Sequence, residues 1–227
     1  MSAAPRRRFQ VPEMEGRQAR WYARQRGSAT QMEGYRREAA RLTAGLPAGA
    51  AVLEVAPGPG YHAVEMARTG ALRVTGLDIS TTMVEIATEN AAAAGVSVDF
   101  QHGDVTAMPF GSDSFDLIVC QAAFKNFKQP VAALDEMQRV LRPGGAAVIQ
   151  DMNRDAPDAA VAEEVRAMRL SRINAFTTRL ILSRFLRRRA YSPARFRALV
   201  AQSAFPGCEI TTRGMELEVR LPKPDPA

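Results

Sequence analysis

A glycine-rich turn follows a short apolar segment in the first third of the chain. In the sequence VLEVAPGPG, residues 52–55 have the apolar, partly β-branched character of a buried parallel strand. Gly58 and Gly60 then stand in the pattern Gly-x-Gly-x-x-Ala, and Asp78 follows eighteen residues after Gly60. Glycine suits a sharp bend or a close approach of the backbone to a ligand. This spacing satisfies a loose fingerprint for a nucleotide-like cofactor and is compatible with NAD or with S-adenosylmethionine.

Polar side chains also follow two later apolar segments. FDLIVCQ (115–121) and AAVIQDM (146–152) both have the composition of buried strands. Ligands of open α/β sheets bind at the carboxyl ends of the strands, so the residues at these two ends are candidates for contact with a second ligand. They are Gln121, Phe124, Lys125 and Asn126 after the first segment, and Asp151 and Asn153 around the end of the second.

The elements that would position these residues alternate regularly along the chain. Strands are predicted at 51–56, 72–78, 96–101, 115–121 and 146–152, with helical segments between them. Right-handed crossovers then give an α/β fold with a doubly wound, Rossmann-like sheet. The closing segments CEITTRG and ELEVRL are so close in sequence that they should pair antiparallel. We therefore predict a seven-stranded, mostly parallel sheet whose last strand is antiparallel.

Two regions lie outside this alternating pattern. Residues 1–46 are predicted to form an N-terminal helical cap, with 1–27 loosely specified and a helix running from Ser28 or Thr30 to about Leu46. Residues 47–227 form the main domain, and 153–190 read as a helical lid or insertion after the fifth strand. The insertion is expected to decide acceptor specificity, as a lid, as a membrane-surface patch, or as a plain helix with a basic solvent face.

The positive charge of the chain is concentrated in one segment, which limits the classes of partner that the chain is expected to bind. The chain has a formal net charge of +6, and residues 165–189 contain eight arginines and no acid, which leaves +6 − 8 = −2 for the rest. Weak contact with anionic membranes through 165–189 is one expectation, and nucleic acid is the less favoured partner.

Cys120 and Cys208 are too few for a disulfide framework or a zinc site. No apolar run long enough to span a bilayer and no secretory signal are evident, so a cytoplasmic protein, monomeric or homodimeric, is expected.

Several motifs in order carry a resemblance to a known family. They are EVAPGPG (54–60), LDIS (77–80), GDVTAMPF (103–110), FDLIV (115–119) and LRPGG (141–145). In this order and spacing the chain resembles class I S-adenosylmethionine-dependent methyltransferases across roughly 50–152. The succession AFKNF and then EMQRVLRPGG is similar to the ubiquinone/menaquinone C-methyltransferase branch and its small-molecule relatives. Ala56 departs from the pattern, because many members have the first loop glycine at this position.

The resemblance implies S-adenosylmethionine as the cofactor and a role for each matching residue. Asp78 is expected to accept both ribose hydroxyls. Ile79 and Met83 are expected to enclose the adenine, and Asp104 to accept from the adenine amine beside the Val105 backbone. The full set of implied cofactor-binding residues is Glu54, Ala56, Gly58, Gly60, Asp78, Ile79, Met83, Asp104, Val105 and Gln121.

Methyl transfer from a sulfonium is an in-line displacement, which needs orientation more than a catalytic group. Orientation of reactants supplies about 7–11 kcal/mol of barrier lowering. Candidate catalytic residues are His62, Gln121 and Lys125, although His62 also suits binding of the cofactor carboxylate or capping of a helix. We expect no metal. Substrate-binding candidates for a small, apolar or aromatic acceptor are Trp21, Tyr22, Phe124, Lys125, Asn126 and Phe176.

Two functions from other classes stay open on the sequence. An NAD-dependent oxidoreductase would use the same glycine-rich turn, although the sequence has no Tyr-x-x-x-Lys segment. A non-catalytic protein that binds the cofactor or RNA is the other alternative, because basic charge alone suits nucleic acid.

Overall fold

The computed structural model describes residues 14–167, 180 and 187–226. Two helices precede the first strand, and strands then alternate with helices as far as the fifth strand. The elements are α1 (Gly16–Arg26), α2 (Ala29–Thr43), β1 (Ala51–Val55), α3 (Tyr61–Ala67), β2 (Arg73–Asp78), α4 (Thr81–Ala94), β3 (Asp99–His102), β4 (Phe115–Gln121), a 3-10 turn (Phe124–Asn126), α5 (Pro130–Val140), β5 (Leu141–Met152), α6 (Asp158–Ala167), α7 (Arg187–Arg189), α8 (Pro193–Val200), β6 (Glu209–Arg213) and β7 (Glu216–Pro222).

The seven strands form one sheet in the order β3-β2-β1-β4-β5-β7-β6. Strands β1 to β5 pair parallel with one another, whereas β7 runs antiparallel to both β5 and β6. The predicted α/β class and the antiparallel last strand are therefore confirmed. The order reverses between β1 and β4, and at such a switch point the loops at the carboxyl ends of the strands separate to leave a crevice.

Both faces of the central sheet are covered by apolar clusters. On β1, Leu53 and Val55 pack into the cluster that includes Leu134 of α5. Val52 points to the opposite face and packs with Met66 of α3. Burial on both faces is the reason that the central strands are almost continuously apolar in sequence.

Strands β3 and β5 begin at residues other than those predicted, the first because of a helix cap and the second because of strand pairing. Strand β3 begins at Asp99 rather than 96, because the amide of Val96 donates to the Ala91 carbonyl and thereby closes the end of α4. Strand β5 begins at Leu141 rather than at 146, so the LRPGG segment opens the strand.

Helix α1 is the largest departure, since residues 1–27 were expected to be loosely specified. It packs on α4 through the buried Ala19 and Ala23, which contact a cluster containing Met83 and Ile86. Alanine, arginine and glutamine favour helix formation. A buried face of two alanines, however, gives almost no hydrophobic periodicity for a sequence-based prediction.

The predicted insertion is described only in part, as α6 and α7. Residues 168–179 and 181–186 lie outside the described residues, and with them lie Phe176 and most of the arginine-rich segment 165–189. The roles predicted for that segment stay predictions. Within the described part of the chain, no helix is both long and apolar enough to cross a membrane.

The turn between β1 and α3 is tightly constrained. Ala56 has a φ of +53°, a left-handed conformation that non-glycine residues adopt at a cost. Gly60, at φ +75°, begins α3, and a Cβ placed there would lie 2.7 Å from both the Ala87 Cβ and the Phe100 Cζ. The missing first glycine is therefore accommodated by strain at Ala56, whereas Gly60 has no room for a side chain.

Ala56→Gly should therefore raise the free energy of unfolding by up to about 1 kcal/mol, because relief of left-handed strain exceeds the added entropy of the unfolded chain. Gly60→Ala should lower it by about 2–4 kcal/mol through overpacking and strain. Urea unfolding of both variants against the unsubstituted protein measures the two effects. A loss of stability in Ala56→Gly would contradict the strain described here.

Candidate functional site

A cavity of about 340 Å³ lies at the carboxyl ends of β1 and β2, beside the loop that follows β4. Its volume falls within the range of about 300–1,000 Å³ typical of small-molecule sites. One wall is the glycine-rich turn, and a second is the end of β2 with the start of α4. Seven of the predicted cofactor-binding residues line it, namely Ala56, Gly58, Asp78, Ile79, Met83, Asp104 and Val105.

Asp78 occupies the end of β2 and is held by two backbone amides. The Gly58 amide donates to its Oδ2 at 3.0 Å, and the Ser80 amide donates to its Oδ1 at 2.9 Å. The side chain is buried, and desolvation raises the pKa of Asp78 despite these two hydrogen bonds. Each carboxylate oxygen accepts one backbone hydrogen bond and keeps acceptor capacity for a ligand hydroxyl.

A second carboxylate lies across the cavity at the end of β3. Asp104 is exposed, and its Oδ1 accepts from the amide and from the hydroxyl of Thr106, both at 2.9 Å. Its Oδ2 accepts no hydrogen bond from the part of the chain that the structure describes. Ile79, 41% exposed, and the buried Met83 present apolar surface to the same cavity. This combination suits a flat, partly apolar base with an amine at its edge.

The N-terminal helix and the loop after β4 complete the enclosure. Met14 and Tyr22 line the cavity, whereas Trp21 is 57% exposed and does not. The prediction that Trp21 contacts the substrate is therefore not supported, because its side chain lies on the solvent face of α1. Asn126, predicted to bind substrate, does line the cavity, and its neighbours Phe127, Lys128 and Gln129 line it as well. These neighbours were missed, although Phe127 ends the AFKNF segment and the other two follow it directly.

Phe124 has a core position instead of a ligand-facing one. It is fully buried, and its ring lies 5.2, 5.8 and 5.0 Å from the rings of Phe127, Tyr191 and Phe196. Burial in an aromatic cluster leaves no surface for an acceptor. Phe124 therefore anchors the loop whose next residues face the cavity.

Lys125 is held in a buried ion pair. Its Nζ lies 2.7 Å from Asp151 Oδ1, and its backbone amide donates to Asp151 Oδ2 at 3.0 Å. The ammonium also donates to the Ala122 carbonyl. Lys125 does not line the cavity, so the geometry assigns it to fixing the loop after β4 onto the end of β5.

Two further predicted residues, His62 of α3 and Gln121 at the end of β4, lie in polar contacts outside the cavity. His62 is buried with its Nδ1 3.3 Å from Glu54 Oε1, and both ring nitrogens and Glu54 Oε2 have no hydrogen-bond partner among the described residues. Gln121 donates to Gln150 Oε1 at 2.8 Å. None of these side chains lines the cavity, nor does Gly60, which packs closely against Ala87 and Phe100.

The described residues offer no group of three or more His, Cys, Asp or Glu side chains arranged to hold a metal ion. Cys120 is fully buried, and desolvation raises the pKa of its thiol far above the ordinary value. Its thiol is therefore not available as a nucleophile.

Comparison with known sequences gives a consistent result. Residues 53–149 match the sequence family described as "Methyltransferase domain". A demethylmenaquinone methyltransferase from Deinococcus radiodurans is 37% identical over 99 residues, which are 43% of this chain and 41% of that protein. A ubiquinone/menaquinone biosynthesis C-methyltransferase from Bdellovibrio bacteriovorus is 36% identical over 111 residues, 48% and 47% of the two chains. The chain thus matches less than half the length of these curated relatives.

The fold extends over more of the chain than the sequence match does. A protein of Methanococcus maripaludis described as an S-adenosylmethionine-dependent methyltransferase superposes with a TM-score of 0.75 at 20% identity, covering 97% of this chain and 98% of that one. Residues 53–149 thus resemble a methyltransferase domain in sequence, and the structural likeness shows that the fold seen in S-adenosylmethionine-dependent methyltransferases extends over nearly the whole chain.

Asp78→Ala should weaken binding of S-adenosylhomocysteine at least about 100-fold, since hydrogen bonds to a charged group contribute about 1.5–3 kcal/mol each. Calorimetric titration measures the affinity, and Asp99→Ala, an exposed aspartate on β3, is the matched control. NAD is titrated in parallel. Full affinity in Asp78→Ala would refute the ribose assignment, and tight binding of NAD alone would refute the choice of cofactor.

Because burial raises the pKa of Asp78, its carboxylate should protonate at a pH above the ordinary range of an aspartate. Protonation removes the charge that accepts from the ribose, so affinity for S-adenosylhomocysteine should fall as the pH drops through this raised pKa. Titrations at successive pH values, repeated with Asp78→Asn, measure the effect. An equally steep pH dependence in Asp78→Asn would assign it to another group.

Proposed function

We propose that this protein transfers the methyl group of S-adenosylmethionine to a small apolar or aromatic acceptor, without a metal ion. The observation that carries the proposal is the geometry of Asp78, whose two oxygens are oriented by the Gly58 and Ser80 amides at the edge of the cavity. A carboxylate held in this way at the end of the second strand matches the two vicinal hydroxyls of a ribose.

The other walls fit the remaining parts of the same cofactor. Ile79 and Met83 enclose the adenine by apolar contact, and Asp104 Oδ2 accepts from its amine. Glu54 in β1 and His62 at the start of α3 do not line the cavity, but they have unpartnered buried atoms on the far side of the glycine-rich turn. Buried polar atoms rarely stay without a partner, so we assign the charged amino acid end of the cofactor to that side of the turn.

The chemistry requires little more than orientation. The cofactor supplies, when bound, a methyl group on a positively charged sulfur, which is already activated for displacement. The chain's own residues then hold the acceptor in line with that methyl and exclude water. Asn126 and Phe127 form the wall on the side of β4 and are the residues we assign to the acceptor. His62 remains our candidate for accepting a proton, and the Lys125–Asp151 pair fixes the acceptor loop.

A quinone-like aromatic ring is the acceptor that we propose. The relatives from D. radiodurans and B. bacteriovorus are named as a demethylmenaquinone methyltransferase and a ubiquinone/menaquinone biosynthesis C-methyltransferase. The methyltransferase domain match covers residues 53–149, which include most of the cofactor site and the loop after β4. The wall of that loop pairs the flat ring of Phe127 with the amide of Asn126. An aromatic ring and a hydrogen-bonding amide together suit an aromatic acceptor that carries oxygen substituents.

Transfer of a labelled methyl group from S-adenosylmethionine tests the proposal directly. The panel contains demethylated naphthoquinols, substituted phenols, small amines and RNA, and Asp78→Ala serves as the background control. We expect transfer to an aromatic member of the panel. Asn126→Ala should lower kcat/KM for that acceptor about tenfold or more while changing the affinity for S-adenosylhomocysteine much less. Transfer to RNA alone would overturn the substrate class, and cofactor binding without any transfer would support the non-catalytic alternative.

A further inference from the structure

Glu15, one residue before helix α1, connects that helix to the start of α4 through several hydrogen bonds. The Thr81 amide donates to Glu15 Oε1 at 2.9 Å, and the Thr82 amide donates to Glu15 Oε2 at 3.1 Å. The Thr82 hydroxyl donates to Oε2 as well, and it accepts from the Gly16 amide at 3.0 Å. One carboxylate therefore takes two of the free amides at the positive end of a 14-residue helix.

Helix α4 does not need Glu15 as its cap. Ser80 already caps it, because its Oγ accepts from the Met83 amide at 3.0 Å. The same hydroxyl donates to the Met14 carbonyl at 2.7 Å, which adds a second link between the two segments. Glu15 precedes Thr81, the first residue of α4, by 66 residues in sequence. The amides that it binds would otherwise donate hydrogen bonds to water. Its contacts therefore stabilise the docking of α1 more than the formation of α4.

The docked helix forms part of the wall of the cavity. Tyr22 of α1 and Met14 just before it line the cavity, as do Ile79, Ser80 and Met83 around the start of α4. The Glu15 contacts lie at the same junction, directly beside this wall.

The fully buried apolar contact of α1 is small, because its buried residues are Ala19 and Ala23. The other polar contacts of α1 include an exposed ion pair of Arg20 with Glu85 and a hydrogen bond from the Tyr61 hydroxyl to the Ala23 carbonyl. The Glu15 carboxylate therefore contributes a large share of the polar contact that docks this helix.

We infer that Glu15 is the latch that holds α1 over the cofactor site, so that the dissociation rate of the cofactor depends on this carboxylate. The inference rests on the cofactor proposed above occupying the cavity. With the latch formed, Met14 and Tyr22 cover the ligand beside the start of α4. With the latch broken, α1 moves away and opens that side of the cavity. The pKa of Glu15 is lowered, chiefly by the hydrogen bond from the Thr82 hydroxyl, which agrees with a preference for the charged, latched form.

The test compares Glu15→Gln with the unsubstituted chain. The glutamine side chain has the size of glutamate, but its carboxamide has one oxygen acceptor and one NH₂ donor. The NH₂ group therefore faces a backbone N–H of α4, and one of the two amide hydrogen bonds is lost. Trp21 is the chain's single tryptophan and lies exposed on α1, so its fluorescence reports on this helix directly. Dissociation of S-adenosylhomocysteine, followed by stopped-flow, should become about tenfold faster, as expected for the loss of charge-assisted hydrogen bonds.

Further measurements separate the latch from a merely structural role. Urea unfolding of Glu15→Gln should stay close to that of the unsubstituted protein, because Ser80 still caps α4. Glu33→Gln removes an exposed glutamate of α2 that contacts Arg36, and it should change neither rate nor stability. Thr82→Val should reproduce part of the effect, and the double variant should be less than additive because both substitutions remove the same contact.

The outcomes distinguish failure of the latch from failure of the proposed function. An unchanged dissociation rate in Glu15→Gln overturns the latch while the proposed function stands. If Glu33→Gln speeds dissociation as much as Glu15→Gln does, the latch is also overturned, because the loss of one negative charge would then explain the effect without the Glu15 contacts. Absence of S-adenosylhomocysteine binding in the unsubstituted protein overturns the proposed function itself.

Discussion

The buried carboxylate of Asp78 is the constraint on which the site depends. A charge removed from water is costly unless hydrogen-bond donors replace the water, and here the donors are the amides of Gly58 and Ser80. The first belongs to the turn after β1, and the second to the entry of α4. A third link, from the Ala56 amide to the Leu77 carbonyl at 2.8 Å, ties the same turn to the end of β2. The glycine-rich turn, the second strand and the fourth helix are thereby fixed as one rigid wall.

Topology, and not any single residue, places a cavity next to that wall. The strand order reverses between β1 and β4, so the loops that follow these strands diverge and leave a crevice over the carboxyl ends. The sheet alone leaves this crevice open on one side. Tyr22 of α1 and the preceding Met14 line that side, and Asn126 and Phe127 of the loop after β4 line another. The walls of the cavity therefore combine segments that lie more than 100 residues apart in sequence.

The difference between local motifs and contacts over long sequence separations explains how much of the fold and of the site the sequence could predict. The central strands were found because burial on both faces makes them continuously apolar, and Asp78, Asp104 and Val105 were found because each lies in a short local motif. Phe124 was misplaced because an aromatic residue after a strand has the same pattern whether it faces a ligand or the core. The pairing of Lys125 with Asp151 joins residues 26 apart on two strand ends, and no local pattern indicates it. Helix α1 escaped prediction because its buried side consists of two alanines.

The two halves of the proposed reaction consequently depend on different kinds of interaction. Cofactor recognition rests on backbone amides and carboxylates fixed by the sheet, which local motifs specify and which any acceptor would share. Acceptor recognition rests on a loop whose position follows from a buried ion pair and an aromatic cluster of Phe124, Tyr191 and Phe196. Since breaking a buried ion pair costs about 3–5 kcal/mol, that loop cannot shift freely. Residues that face the acceptor can therefore change while this anchor holds the loop, and the fold can take different acceptors with one unchanged cofactor site.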